Sequence, residues 1–89
     1  MQTIIDPNEA RRFAGFLQET SRELRSRNAA VNRSLMELNA TWRDSKYDSF
    51  EKLFEEATLQ LERFLEHSEK YAEYLRRKAA IVDRYLDRR

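Results

Sequence analysis

The fold is decided by the seven residues Asn39-Ala40-Thr41-Trp42-Arg43-Asp44-Ser45, which separate two long stretches of helical periodicity. Short polar residues favour turns and helix caps, because their side chains hydrogen-bond to nearby backbone groups. Ser45 is followed three positions later by Asp48, a capping-box spacing that predicts the start of a second helix. Since this segment is the only break in the pattern, the sequence predicts two helices joined by one turn.

Upstream of the break, the first helix is predicted to begin near Pro7. Asp6 can cap it, Pro7 suits the first helical position, and Glu9 has the spacing to reach back. Two rows with a seven-residue repeat, together with Phe13 and Thr20, fill an arc of about 120°, the width of a core-facing stripe. The rows are Ala10, Leu17, Leu24, Val31 and Leu38, and Ala14, Ser21, Asn28, Leu35 and Trp42.

Downstream of the break, a second stripe runs to the C-terminal end and again spans about 120°. Its members are Phe50, Leu53, Phe54, Ala57, Leu61, Phe64, Leu65, Ser68, Tyr71, Ala72, Leu75, Ala79, Val82 and Leu86. We therefore predict one all-α domain over residues 1–89, an antiparallel two-helix hairpin. Its helices are expected at about 7–39 and 46–87, with a turn at about 40–45 and Trp42 shielded beside Phe50. Two helices shield only one stripe from each other, so pairing into a four-helix bundle dimer is expected.

The charge distribution also favours a hairpin over one bent rod. Residues 44–69 carry a net charge of −5 and residues 70–89 carry +4, whereas residues 22–43 carry +3 and residues 6–20 carry −1. In a hairpin the oppositely charged segments lie side by side, although each exposed pair contributes only tenths of a kcal/mol. Between two hairpins, the halves of the second helix attract if these helices meet antiparallel.

The composition excludes several classes of function. The 89 residues include 17 Lys and Arg, 16 Asp and Glu, one Gly, one Pro and no Cys. Disulfides, thiolate metal sites, a Gly-rich phosphate loop and a strongly basic field are therefore absent. The opening residues 1–7 predict no conventional export signal, no apolar run reaches 18 residues, and His67 is the only histidine. We expect no enzyme, no cofactor or metal, no small-molecule substrate, no nucleic-acid partner and no membrane insertion.

Two polar features have alternative interpretations. Asn28 interrupts an apolar row, either as a polar group that sets the helix register or as a residue tolerated where Ser68 leaves room. Basic residues also gather at the C-terminal end, namely Arg76, Arg77, Lys78, Arg84, Arg88 and Arg89. Because Glu73, Asp83 and Asp87 interleave them, they indicate a helix end favoured by the macrodipole rather than a nucleic-acid patch.

A second apolar stripe predicts an interaction surface. Tyr74, Ile81 and Tyr85 lie about 100° outside the core arc at helical spacing, and Phe16 also lies off the core arc of its helix. The predicted rim of this surface is basic and consists of Lys70, Arg77 and Arg84. An exposed apolar stripe with a charged edge is typical of a surface that binds a partner.

The residues Leu38, Trp42 and Phe50 carry a family resemblance that covers essentially the whole chain. A Leu four positions before a Trp, a tight turn and an aromatic residue eight positions later resemble the Trp-x-Gly family of early-secreted-antigen-like proteins, associated with type VII secretion. The sequence departs from the family at two points. Asp44 replaces the turn glycine, and Leu75, Lys78 and Arg89 stand where a C-terminal Tyr-x-x-x-Asp/Glu signal needs an acid.

The resemblance implies a non-enzymatic hairpin that binds itself or a similar hairpin, as a substrate, adaptor or chaperone of a secretion or toxin system. The location it implies is the cytoplasm or, without a leader, the outside of the cell. The alternative is an intracellular coiled-coil adaptor unrelated to secretion.

Overall fold

The computed structural model describes residues 4–87, which form two long helices and no strand. Helix α1 covers Pro7–Asn39 and helix α2 covers Ser45–Asp87. The two pack as an antiparallel hairpin of 68 × 25 × 13 Å. The all-α hairpin predicted from the periodicity is thus confirmed, and each helix has one neighbour within the described chain.

Asp6 begins helix α1 by capping it. Its Oδ1 accepts hydrogen bonds from the backbone N–H groups of Asn8 at 3.0 Å and Glu9 at 3.3 Å. Pro7 follows at the first helical position, where its missing N–H group costs nothing. The helix ends where the N–H of Trp42 donates to the carbonyl of Leu38 at 2.8 Å.

The cap of helix α2 is Asp44, so the capping box predicted from Ser45 is wrong. Asp44 Oδ1 accepts from the backbone N–H of Tyr47 at 2.8 Å, and its carbonyl accepts from the N–H of Asp48 at 3.2 Å. Ser45 is already the first helical residue. Asp and Ser are comparable caps, so where the chain leaves the turn decides whether Asp44 or Ser45 caps the helix.

The seam between the helices, meaning the stripe along which they touch, is built mainly from small side chains. Fully or nearly fully buried there are Ala14, Ser21, Leu35, Tyr47, Leu65, Ser68, Ala72 and Ala79. The buried serines donate back to their own helix, from Ser21 to the carbonyl of Leu17 and from Ser68 to that of Phe64, both at 2.8 Å. Small residues let two helix backbones approach closely, which narrows the strip that each helix covers on the other.

The core is therefore narrower than the sequence predicts. Val31 and Leu38 on α1 and Leu53, Phe64 and Tyr71 on α2 belong to the predicted core arcs, yet each is 45% exposed or more. The seam is centred on the small-residue row of each helix, which turns the large residues of the stripe to one side. A single neighbouring helix cannot cover an arc of about 120°.

Candidate interaction surface

The large residues left outside the seam form one continuous apolar face along the hairpin. On each helix they lie roughly 60–160° to the same side of the seam, at about 100° per residue. The edge contact between Phe13 and Tyr71, with ring centroids 6.5 Å apart, shows that these sides coincide in the hairpin. We define the apolar face as Phe13, Val31, Leu38, Phe50, Leu53, Phe64, Tyr71, Tyr74, Ile81 and Tyr85, all at least 45% exposed.

Aromatic contacts organise the face near the open end of the hairpin. Tyr71 contacts Phe13 across the seam and stacks on Tyr74 within α2, with a centroid separation of 6.0 Å. These rings continue into a groove of about 1080 Å³, whose walls include Ile4, Ile5, Ile81 and Tyr85. Exposed aromatic side chains contribute much of the binding energy at protein interfaces.

The opposite side of the seam is polar. Arg25 of α1 pairs with Glu62 at 3.3 Å and also with Glu69, both on α2, and the hydrogen bond to Glu69 is the main reason that the pKa of Arg25 is raised. Arg11 pairs with Asp83 at 2.6 Å toward the open end. The hairpin is therefore two-sided, with ion pairs bridging the helices on one side and apolar groups exposed on the other.

Asn28 pairs with Thr58 across the seam. Its Nδ2 donates to Thr58 Oγ1 at 3.2 Å, and Oγ1 lies 3.3 Å from Asn28 Oδ1. The hydroxyl of Ser68 instead donates within its own helix, to the carbonyl of Phe64. The geometry fits the interpretation of Asn28 as a polar contact that sets the register of α1 against α2.

Tyr47, not Trp42, fills the closed end of the hairpin. Tyr47 is 5% exposed, and its hydroxyl donates to the carbonyl of Leu35 at 3.0 Å while lying 3.3 Å from Glu51 Oε2. Burial first, and then the charge of Glu51, raise the pKa of this phenol. The Arg43 guanidinium lies over the ring at 5.5 Å from its centroid.

The prediction that Trp42 is shielded beside Phe50 is wrong. Trp42 is 62% exposed, and Phe50 stacks instead on Phe54 with a centroid separation of 6.4 Å. The indole N–H donates to Asp44 Oδ2 at 3.2 Å, which ties it to the carboxylate that caps α2. Helix α1 ends before Trp42, so the heptad row no longer determines where this side chain lies.

The residues predicted as an interface from the sequence are all exposed, but they do not form one patch. Tyr74, Ile81 and Tyr85 belong to the apolar face, but Phe16 lies outside it. Phe13, rather than Phe16, is the phenylalanine that α1 contributes to the face. The predicted rim residues, Lys70, Arg77 and Arg84, are exposed on the outer flank of α2. The closed-end half of the face is not predicted from the sequence, because the periodicity places Leu53 and Phe64 in the core arc.

The described residues hold no cluster of ligating side chains suited to a metal ion, and His67 is exposed. Neither described helix is apolar over the length that a membrane crossing requires.

Fold and surface together define the class of a two-sided helical hairpin. No protein-family model matches the chain, and no curated protein sequence matches it. Among solved structures, it is similar to the crystal structure of a mutant of the secreted protein EsxB from Bacillus anthracis str. Sterne. The TM-score is 0.75 and the sequence identity 20%, over 90% of this chain and 89% of the other. The hairpin fold that the family resemblance implies is therefore also the fold of a secreted protein.

Proposed function

We propose that this chain is a non-enzymatic binding module that pairs its apolar face with another helical hairpin, in the manner of Trp-x-Gly secretion substrates or their adaptors and chaperones. The observation that carries the proposal is the apolar face itself. Ten large apolar side chains, each at least 45% exposed, line one side of the hairpin, while ion pairs bridge its other side. Apolar patches of this extent on small proteins mark binding surfaces.

The shape of the face supports a helical-hairpin partner over a short peptide. The hairpin measures 68 by 25 Å along this face. The area of a rectangle of these dimensions is about twice the roughly 800 Å² that each partner contributes to a standard interface. A partner that covers it must be equally long and flat. A second pair of helices meets that requirement and completes a four-helix bundle.

Two leucines of α2 provide a matched test. Leu53 lies on the apolar face and Leu59 on the polar side, where it lines a small groove with Arg25 and Asn32, and each is 63% exposed. We expect Leu53→Glu to weaken association measured by sedimentation equilibrium, because the carboxylate would be desolvated against the partner. Leu59→Glu should associate like the wild type. Equal effects of the two substitutions on association would contradict the proposal.

The link to secretion requires a separate test. It is supported by the resemblance carried by Leu38, Trp42 and Phe50 and by the fold shared with a secreted protein. The chain should appear in the culture medium of its own organism and be retained when the ATPase of the specialised secretion system is deleted. Retention in both strains would favour the intracellular adaptor.

A further inference from the structure

The only histidine of the chain lies in the apolar face. Every seventh residue of a helix returns to nearly the same side, and Leu53, Tyr74 and Ile81 follow this spacing along α2. His67 belongs to the same row, seven residues before Tyr74, and its side chain is exposed. A partner that covers the apolar face along its length therefore covers an imidazole as well.

Aromatic rings flank His67 on the side toward the seam. Phe64 precedes it by three residues and Tyr71 follows it by four, the spacings at which side chains on one side of a helix are neighbours. Both rings belong to the apolar face, where they are 58% and 50% exposed. A partner that covers these two rings also removes water from the imidazole between them, so the surroundings of the covered imidazole are largely apolar.

The charged neighbours of His67 on its own helix are cations. Arg63 and Lys70 lie one turn away on the back of α2, and neither has an ion-pair partner among residues 4–87. The acids within one turn, Glu66 and Glu69, lie toward the polar side of the seam, where Glu69 already forms an ion pair with α1. Within these turns of α2, no carboxylate is therefore placed to pair with an imidazolium on the apolar face.

The neighbouring stretch of α1 holds one ion pair on this side of the hairpin. Arg25 pairs with Glu69 of α2, which places residues 20–27 beside the histidine. Two of these residues, Glu23 and Arg27, are charged and lie toward the apolar face, and they pair with each other at 3.2 Å. In the described stretches around the histidine, neither helix therefore presents an unpaired carboxylate to a protonated imidazole.

We propose that His67 is a pH-dependent gate on the apolar face, which a partner covers while the imidazole is neutral and leaves when the imidazole gains a proton. The inference rests on the proposed function and adds its regulation. Covering a charged group that has no carboxylate partner costs free energy, because apolar surroundings solvate the charge poorly, whereas a neutral imidazole costs much less. Histidine side chains ordinarily change charge between about pH 5 and pH 8, so mild acidification releases the partner.

The dissociation constant at two pH values tests the gate. In sedimentation equilibrium, the constant of the wild-type chain should rise about fivefold or more between about pH 7.5 and about pH 5.5, because the dissociated state binds the proton more readily. Carboxylates ordinarily titrate below this range, and the chain has no other histidine. His67→Gln keeps a polar group that does not titrate, so its dissociation constant should be the same at both pH values. The measurements are made where circular dichroism shows full helicity, which excludes loss of the fold.

Moving the histidine to the polar side gives a matched control. His67→Gln combined with Leu59→His keeps one histidine in the chain, at a position 63% exposed on the polar side, and should associate equally at both pH values. A wild-type constant that is equal at both pH values, or lower at about pH 5.5, would overturn the gate and leave the proposed function intact. A pH dependence that persists in either variant would also overturn it. Absence of association at about pH 7.5 and tens of micromolar would instead contradict the proposed function, and the gate with it.

Discussion

At the scale of single residues, Asp44 explains how the chain closes its turn without a glycine at this position. One carboxylate oxygen caps α2 through the N–H of Tyr47, and the other accepts from the indole of Trp42. No residue among those described has a positive φ, so the turn does not need the conformational freedom of glycine. The departure from the Trp-x-Gly pattern at this position is thus compatible with the hairpin fold.

The exposure of Trp42 leads to a stability prediction. Trp42→Ala should reduce the free energy of unfolding by less than about 1 kcal/mol, as expected for a surface position. Leu65→Ala, at 1% exposure in the seam, should cost about 2–5 kcal/mol. Chemical denaturation followed by circular dichroism measures both. A loss at Trp42 as large as that at Leu65 would show that the indole is packed against the hairpin.

The buried phenol of Tyr47 predicts a dependence of stability on alkaline pH. Burial and the charge of Glu51 raise its pKa in the folded chain, so the unfolded chain loses this proton first. The stabilising contribution is therefore present below the ordinary tyrosine pKa of about 10 and is lost as the pH rises above it.

Melting temperatures from about pH 8 to about pH 11 measure this contribution, since the range spans the ordinary tyrosine pKa. Tyr47→Phe should lower the melting temperature at the lower end and flatten the decline toward the upper end. Tyr85→Phe, at a position 74% exposed in the single hairpin, should follow the wild type when both are measured at concentrations where the chain is monomeric. A wild-type slope in Tyr47→Phe would contradict the assigned role of the buried hydroxyl.

At the scale of elements, the polar side of the seam predicts a salt-dependent contribution to pairing of the helices. Arg25 bridges to Glu62 and Glu69, and the three side chains remain 34%, 45% and 44% exposed. Arg25→Gln should lower the melting temperature modestly at low salt, and the difference should shrink between about 0.05 M and about 0.5 M NaCl as screening increases. Arg22→Gln, at an exposed position one turn earlier, is the control. Equal shifts in the two variants would exclude a specific role for the bridge.

The helices and the turn could be predicted from the sequence because their signals are local. The amphipathic period, the cap before Pro7 and the polar break around residues 39–45 each act within one or two turns. The rotation of each helix about its own axis is not local, because it depends on how two surfaces fit together. Ala14 and Ala72 became the centre of the seam, and the larger Leu53 and Phe64 were displaced onto the apolar face.

Part of the interaction surface could also be predicted from the sequence, because the helical period is a local signal. Tyr74, Ile81 and Tyr85 lie outside the core arc on any helix with this period. By contrast, the closed end of the seam is occupied by Tyr47 rather than Trp42, and Phe50 and Leu53 remain exposed on the apolar face. This choice follows from where α1 ends and α2 begins, which a heptad pattern does not define.

At the scale of the whole molecule, the hairpin resembles half of a four-helix bundle. Its single seam is narrow and includes small residues, while many of its large apolar side chains are exposed on one side of the seam. A small domain gains much of its stability from the apolar area it buries, and a second hairpin would bury the rest. We therefore expect association and stability to be coupled, with melting temperatures that rise with protein concentration.

The central claim is that the apolar face, and no other side, is covered when the chain associates. Hydroxyl-radical footprinting across the association range tests it most directly, because it reports each side chain separately. Phe64, Tyr71 and Ile81 should become several-fold less reactive as the chain associates, while Met36 and Leu59, on the polar side and more than 60% exposed, keep their reactivity. Protection of Met36 and Leu59, or unchanged reactivity of Phe64, Tyr71 and Ile81 in the associated protein, would contradict the account.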